Sequence, residues 1–340
     1  MTSIKDVARA AGVSPATVSR VLNGNNAVSA DRAARVMEVA AELGYQPHGP
    51  ARALRQQRSR LWAVIVSDIQ NPFFTTMVRA IEDAGRAEGH RVVLCNSDED
   101  PAREASYIEV AVAERMGGVV IAPASDRSSR VDALLERQIP VVTVDRRIRH
   151  GRELVDSVMV DNRAGGVAAT EHLLNSGAKR VACITGPARA STAAERLIGY
   201  RAALRNAERE HATDLVRHAD FRHEGGYAAA IDLLRSRRRP DALFVTNNLM
   251  TLGALQAITD LGLRVPDDVA IVGFDDAPWA TLTTPPLSVV AQPTLEIGRE
   301  AARLLATSGA GMATRHIVLA PTLVVRQSSV RQSRTRAGLG

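Results

Sequence analysis

From Leu61 onward the chain repeats one pattern: a short apolar run of strand length, a polar turn, then an amphipathic stretch of helix length. Runs at 61–66, 91–95, 118–122 and 140–144 alternate with helical periodicity over 73–88, 102–115 and 130–137. The alternation restarts after Val158, with runs at 180–185, 241–246 and 269–274 and helical stretches at 162–176, 193–207, 225–235 and 249–261. Near-continuous apolar strands separated by helices belong to parallel sheets covered on both faces, because each crossover lays a helix over the sheet. Two successive sets predict an α/β fold of two doubly wound parallel-sheet lobes.

The first sixty residues follow another period. Ile4, Val7, Ala8 and Ala11 share one helical face, Ser3 stands before it as a cap, and Gly12 ends it. Ser14 is a second cap, and Pro15 at the first helical position gives up an N–H that has no partner there. Val18, Val21 and Leu22 then form an apolar face that leaves Pro15, Ala16, Ser19 and Arg20 outward. Short side chains beside one guanidinium suit close approach to base edges in a major groove. Two helices about a glycine turn make a helix-turn-helix pattern, although periodicity alone fits any two-helix corner equally well. A third helix is predicted from the Ser29 cap to about Leu43, stopped by Gly44, with Val36, Val39, Ala40 and Leu43 packing on the first two.

Charge separates the two regions. The net charge is +6, yet residues 1–60 carry nine basic side chains against four carboxylates, and four more arginines follow from Arg326. The body between is therefore mildly acidic, about −3. A basic terminal module on such a body is the electrostatic footprint of a nucleic-acid binder. Only two cysteines occur, Cys95 and Cys183, both inside strand-like runs, which predicts buried thiols in a reducing compartment. No signal-type apolar segment begins the chain and no run reaches the ~20 apolar residues of a membrane span, so a cytoplasmic protein is expected.

The segments Asp6-Val7-Ala8, Ala11-Gly12-Val13-Ser14 and Thr17-Val18-Ser19-Arg20-Val21-Leu22-Asn23 resemble, without a gap, the N-terminal signature of the lac repressor family. That resemblance implies a headpiece over 1–48 whose Ser3, Ser14, Pro15, Ala16, Thr17, Ser19, Arg20 and Asn23 meet operator DNA. It also implies a hinge helix over 49–60 that folds on DNA, with Ala51 and Arg55 on the duplex and Leu54 wedged into the minor groove, trading unstacking energy for a bend. His48 stands where the family often has Asn, and Pro50 falls in the hinge's first turn. The rest, 61–340, is implied to share the fold of periplasmic sugar-binding proteins. Lobe one would hold 61–161 plus 293–321 and lobe two 162–292 plus 322–330, with crossovers near Asp161, Gln292 and Pro321.

In open parallel sheets, ligands bind beyond the carboxyl ends of the strands. Here those ends carry Ser67, Asp68 and Asn71-Pro72-Phe73-Phe74, then Asp145-Arg146, Arg196, Phe221, Asn247-Asn248, Phe274-Asp275 and Gln292. Carboxylates, guanidiniums and amides each address adjacent hydroxyls, while Phe faces stack on the C–H surface of a sugar ring. Singly each has a duller reading: a surface ion pair for Asp145-Arg146, a turn for Asn71-Pro72, core for Phe73 or Phe274. Their recurrence at successive strand ends is what such readings do not predict. By position they resemble the sugar contacts of ribose-type binding proteins at Ser67, Asn71, Phe73, Phe74, Asp145, Arg146, Arg196, Phe221, Asn247, Phe274, Asp275 and Gln292. Ala122 departs, standing where those proteins supply a polar amide.

An enzyme on this sheet needs a phosphate-cradling loop or a nucleophile motif, and the chain has no G-x-G-x-x-G after a strand, no G-x-x-x-x-G-K-[ST], no C-x-x-C, no H-E-x-x-H and no G-x-S-x-G. A transport binding protein needs a secretion signal and has no use for a basic headpiece. The expectation is therefore a transcriptional regulator, a repressor, that uses no cofactor and is nucleoid-associated when on its operator. One helix-turn-helix reads half a site, so a homodimer on a near-palindromic operator follows. The short basic stretch 330–340 has no leucine heptad with which to build tetramers. The effector is expected to be a small, pentose-like sugar; a purine-type corepressor is the alternative, since Arg196, Phe221 and Asp275 also match purine-responsive relatives.

Overall fold

A computed structural model describes residues 2–22, 28–45, 59–126, 129–148, 155–209, 213–308 and 313–331. The chain divides into two units, Met1–Ser59 and Arg60–Gly340, each described by itself.

The first unit holds three helices, α1 (Ile4–Ala10), α2 (Pro15–Leu22) and α3 (Ala30–Glu42). At the start of α1 the Asp6 carboxylate takes hydrogen bonds from both the N–H and the hydroxyl of Ser3, at 2.9 and 2.6 Å. These bonds hold the Asp6 carboxyl below its usual range. Ser14 caps α2 by accepting the Thr17 N–H at 3.1 Å. Gly12 (φ +65°) makes the turn between the helices, a conformation that side chains resist. Val7, Ala8, Val18, Val36, Val39 and Ala40 form the small core. Leu43, expected in that core, is instead 39 % exposed. The chain leaves α3 there, and Tyr45 folds back on the core, its N–H donating to the Ala40 carbonyl at 2.9 Å.

The second unit is built on two six-stranded sheets. The first orders its strands β11-β5-β4-β3-β1-β2, all parallel. Its members are β1 (Leu61–Val66), β2 (Arg91–Asn96), β3 (Gly118–Ile121), β4 (Val141–Val144), β5 (Asp156–Val160) and β11 (His316–Leu319). Helices α4 (Pro72–Ala87) and α11 (Thr294–Ala306) cover one face. Helices α5 (Pro101–Ala113) and α6 (Asp132–Glu136) cover the other. The second sheet runs β12-β10-β9-β8-β6-β7, with only β12 antiparallel to its neighbour. It comprises β6 (Val181–Thr185), β7 (Val216–His218), β8 (Ala242–Val245), β9 (Ala270–Phe274), β10 (Ser288–Ala291) and β12 (Thr322–Val324). Helices α7 (Asn162–Asn175) and α8 (Ser191–Asn206) lie on one face, α9 (His223–Leu234) and α10 (Asn248–Asp260) on the other.

The central strands are buried end to end. Each of their Val, Leu or Ile side chains contributes about 1.5–3 kcal/mol of transfer free energy. Edge strands β7, β11 and β12 are short and part-exposed, which is why periodicity missed them: Val216-Arg217-His218 has no apolar run, and in β11 only alternate residues face the core. The buried β5 and β10, whose short runs are broken by Ser and Asp, were missed as well. The chain passes from one sheet to the other after β5, after β10 and after β11. Cys95 and Cys183 are both buried, and burial pushes both thiols up. No helix among the described residues is long and apolar enough to cross a membrane.

Candidate functional site

The carboxyl ends of both sheets open on one cavity. From the first lobe come Asp68, Asn71, Phe73, Phe74, Glu99, Asp145 and Arg146; from the second, Thr192, Arg196, Asp220, Phe221, Arg222, Asn247 and Asp275, with Gln292 just past the end of β10. Each arrives by ordinary local chemistry. Asn71 caps α4 through its side chain, which accepts the Phe73 N–H at 2.9 Å, and Phe73 and Phe74 follow Pro72 in the first turn, both buried. Asn247 caps α10 in the same way, accepting from Met250 N–H at 3.0 Å.

Strain collects at this cavity. Asp98, Glu99, Asp145, Phe221 and Asp275 all have positive φ, between +55° and +72°. Asp tolerates that region; a bulky Phe pays for it, on the order of 1–3 kcal/mol. Gly186 leaves the room that the Phe221 ring occupies, since a Cβ there would lie 2.1 Å from it.

The polar groups are arranged as charge networks. Arg146 forks onto Glu99 at 2.7 and 2.5 Å and donates to the Pro123 carbonyl at 3.3 Å. Its Nε lies 3.4 Å from the Asp145 carboxylate without a hydrogen bond of its own. Burial works against the Arg146 charge, but Glu99 and Asp145 outweigh it and hold the guanidinium firmly protonated. The same guanidinium stands 5.3 Å above the Phe221 ring of the opposite lobe. Arg196 donates to Asn162 and to the Thr246 carbonyl, both at 2.7 Å, and stacks 3.7 Å over Phe274. Asp275 accepts from Gln292 at 2.6 Å. Burial raises the Asp145 and Asp275 carboxyls above their usual range, opposed in both cases by Arg196 and for Asp145 more strongly by Arg146. The result is a cavity with acceptor oxygens and amides along its edges and Phe73, Phe74 and Phe221 as apolar walls.

Ten of the twelve residues that the sequence singled out for this cleft therefore line one cavity. Two do not. The Ser67 hydroxyl is fully buried and donates to the Ala122 carbonyl at 3.3 Å, and Phe274 lies behind the wall as the platform beneath Arg196. Asp68, named at the end of the first strand but not among those twelve, lines it too; four lining residues were missed: Glu99, Thr192, Asp220 and Arg222. The strand-end rule applied to β2 points at Glu99; Asp220 and Arg222 follow β7, which has no apolar signature.

On the headpiece, Ser3, Ser14, Pro15, Ala16 and Arg20 are exposed and Thr17 and Ser19 half-buried, above a buried Val18. Asn23, Ala51, Leu54 and Arg55, together with His48 and Pro50, lie outside the described residues.

Comparison with known proteins agrees with both units. Residues 3–48 match the bacterial regulatory proteins, lacI family, and residues 170–329 match a periplasmic binding protein-like domain. The chain is 35 % identical to the HTH-type transcriptional regulator DegA of Bacillus subtilis over 96 % of its own length and 98 % of the relative's. It is 36 % identical to the ribose operon repressor of Halalkalibacterium halodurans, covering 90 % of this chain and 89 % of that one. A solved structure of the lac repressor dimer bound to operator and the anti-inducer ONPF superposes with a TM-score of 0.84 at 27 % identity, over 97 % of this chain and 99 % of that one.

Proposed function

The chain belongs to the lacI family of bacterial regulatory proteins, DNA-binding regulators of transcription, and we propose that this member is a repressor released from its operator by a pentose-like sugar bound between the two lobes. The observation that carries the reading is the cavity itself: paired carboxylates, guanidiniums and amides around its edge, and phenylalanines of both lobes on its faces. A sugar ring has that same division between a hydroxyl edge and C–H faces, whereas a purine presents few donors to so many carboxylates. Similarity to a ribose operon repressor points the same way. The cleft is read as a binding site and not a catalytic one. In the cytoplasm, two chains about a two-fold axis would place two α2 helices on the halves of a near-palindrome. The sugar acts by favouring one lobe arrangement, so its binding and operator binding are linked and the linkage is reciprocal.

The test is a thermal-shift panel of pentoses, hexoses and purines, followed by titration of labelled operator with and without the hit. A ligand bound only by the native state must raise the melting temperature. Asp275→Ala removes a charged hydrogen-bond partner and should weaken the hit about tenfold or more. Shifts from purines alone would overturn the sugar reading, and a sugar that tightens operator binding would reverse the proposed sign.

A further inference from the structure

Asp98 and Glu99 follow β2 as consecutive left-handed residues, with φ of +55° and +59°. This double turn sends two carboxylates in different directions. Glu99 turns inward and takes both arms of Arg146. Asp98 faces across the cleft and accepts from Arg222 Nη2 at 2.5 Å, while the other arm of Arg222 lies 3.7 Å from Asp68. Arg222 is the residue before α9 of the second lobe; Asp68 and Asp98 belong to the first.

Exposure locates this ion pair. The side chains of Arg146 and Asp145 are 5 % and 8 % exposed, deep in the cavity, whereas Arg222 and Asp98 are each 34 % exposed. Arg222 and Asp68 also line the cavity, so the pair stands where the cavity meets solvent. Asp98 is held on its own lobe by Arg103 at 3.1 Å, and the Arg222 N–H is fixed by Asp220 at 3.0 Å. Each of these contacts lies within one lobe. The lobes also meet through the neutral bond from Asn248 to Asn71 at 2.8 Å and through Arg147, 3.5 Å from Glu195.

We infer that Arg222, with Asp98 and Asp68, is a latch across the mouth of the cleft that retains the bound molecule and limits it to a single sugar ring. This rests on the reading of the cavity as an effector site. The pair closes one place where the cavity meets solvent, so it slows escape there; a second ring projecting past it would meet the guanidinium and carboxylates. An Arg at this position is chosen for the fork that addresses two carboxylates of one lobe together.

The experiment uses the full chain and the variants Arg222→Gln, Asp98→Asn and their combination. Spin labels at Glu109 and Arg235, exposed positions on α5 and just past α9, report the separation of the lobes without any ligand; the native cysteines are buried. Each single variant, and wild type in high salt, should show wider separation than wild type in low salt. Calorimetry with D-ribose and with cellobiose then reads retention and size. Each single variant should bind ribose up to about fivefold more weakly, the range for a partly exposed ion pair, and the double variant no more weakly than the weaker single one. Cellobiose should bind the variants better than it binds wild type. Lobe separations unchanged across all variants and salts would overturn the latch whatever the effector is. Cellobiose binding wild type as well as the variants would overturn the size limit. If the variants open but wild type binds neither sugar, the latch stands and the effector reading fails.

Discussion

Arg20 is the long side chain on the exposed face of α2, where its neighbours Ser14, Pro15 and Ala16 are short. A guanidinium so presented is expected to fork onto one guanine, worth about 1–3 kcal/mol. Arg20→Ala should therefore weaken operator binding by that amount and relax preference at one base position in each half-site; selection from random duplexes that returns an unchanged site would remove the assignment. In the cleft, Asp145 is a charge kept where burial disfavours it. A carboxyl with a raised folded-state pKa binds protons more readily when folded, so its contribution to stability is present below the unfolded value of 3.8 and is lost as the pH rises through the folded one. Asp145→Asn keeps the shape, and Asn also accepts φ of +63°. The variant should resist urea better than wild type at neutral pH, the gap should shrink as the pH falls toward 3.8, and sugar affinity should drop at once. Equal urea midpoints at every pH would show that Arg146 and Arg196 fully offset the burial. Such trading of stability for binding is normal where a site must hold unsatisfied charge for a ligand to meet.

Helix pairs in the second lobe meet backbone to backbone through glycine. On α7, a Cβ at Gly166 would lie 2.3 Å from the Arg196 carbonyl; on α8, one at Gly199 would lie 2.2 Å from that of Arg163. The obstructing atoms are main chain and have no rotamer to yield. Helix propensity alone makes Gly199→Ala stabilising by about 1 kcal/mol. Forcing two packed helices apart costs about 1–3 kcal/mol or more, so the net effect should be destabilising. Because Arg196 lies one turn before Gly199 on the same helix, sugar affinity should fall as well. A rise in the denaturation midpoint would mean that α7 and α8 separate freely. At this scale, what was legible depended on apolar density. Strands β1, β3, β6, β8 and β9 announce themselves as unbroken apolar runs, and α2 by its cap, its proline and its face. Leu43 was misplaced because periodicity counts residues and does not register where a helix ends and the chain turns away.

At the scale of the whole molecule, three passages between the sheets make one cleft out of two similar lobes, and most strands that lead to it carry polar residues at or just beyond their carboxyl ends, β3 with its Ala122 being an exception. The chain's order alone determined that there are two βα-repeating lobes behind a basic three-helix module, because apolar period and net charge are local properties that survive in a linear string. Strand-end position, with the lac repressor resemblance beside it, also drew attention to most of the cleft. What only the tertiary structure decided are the pairings: that Glu99 claims Arg146 from 47 positions away, that Phe274 serves as a platform and not a wall, and that Arg222 reaches Asp98 across the cleft from 124 positions away. Ion pairs and stacking depend on distances of a few ångströms between side chains, and those distances exist only after two separate sheets have been brought face to face.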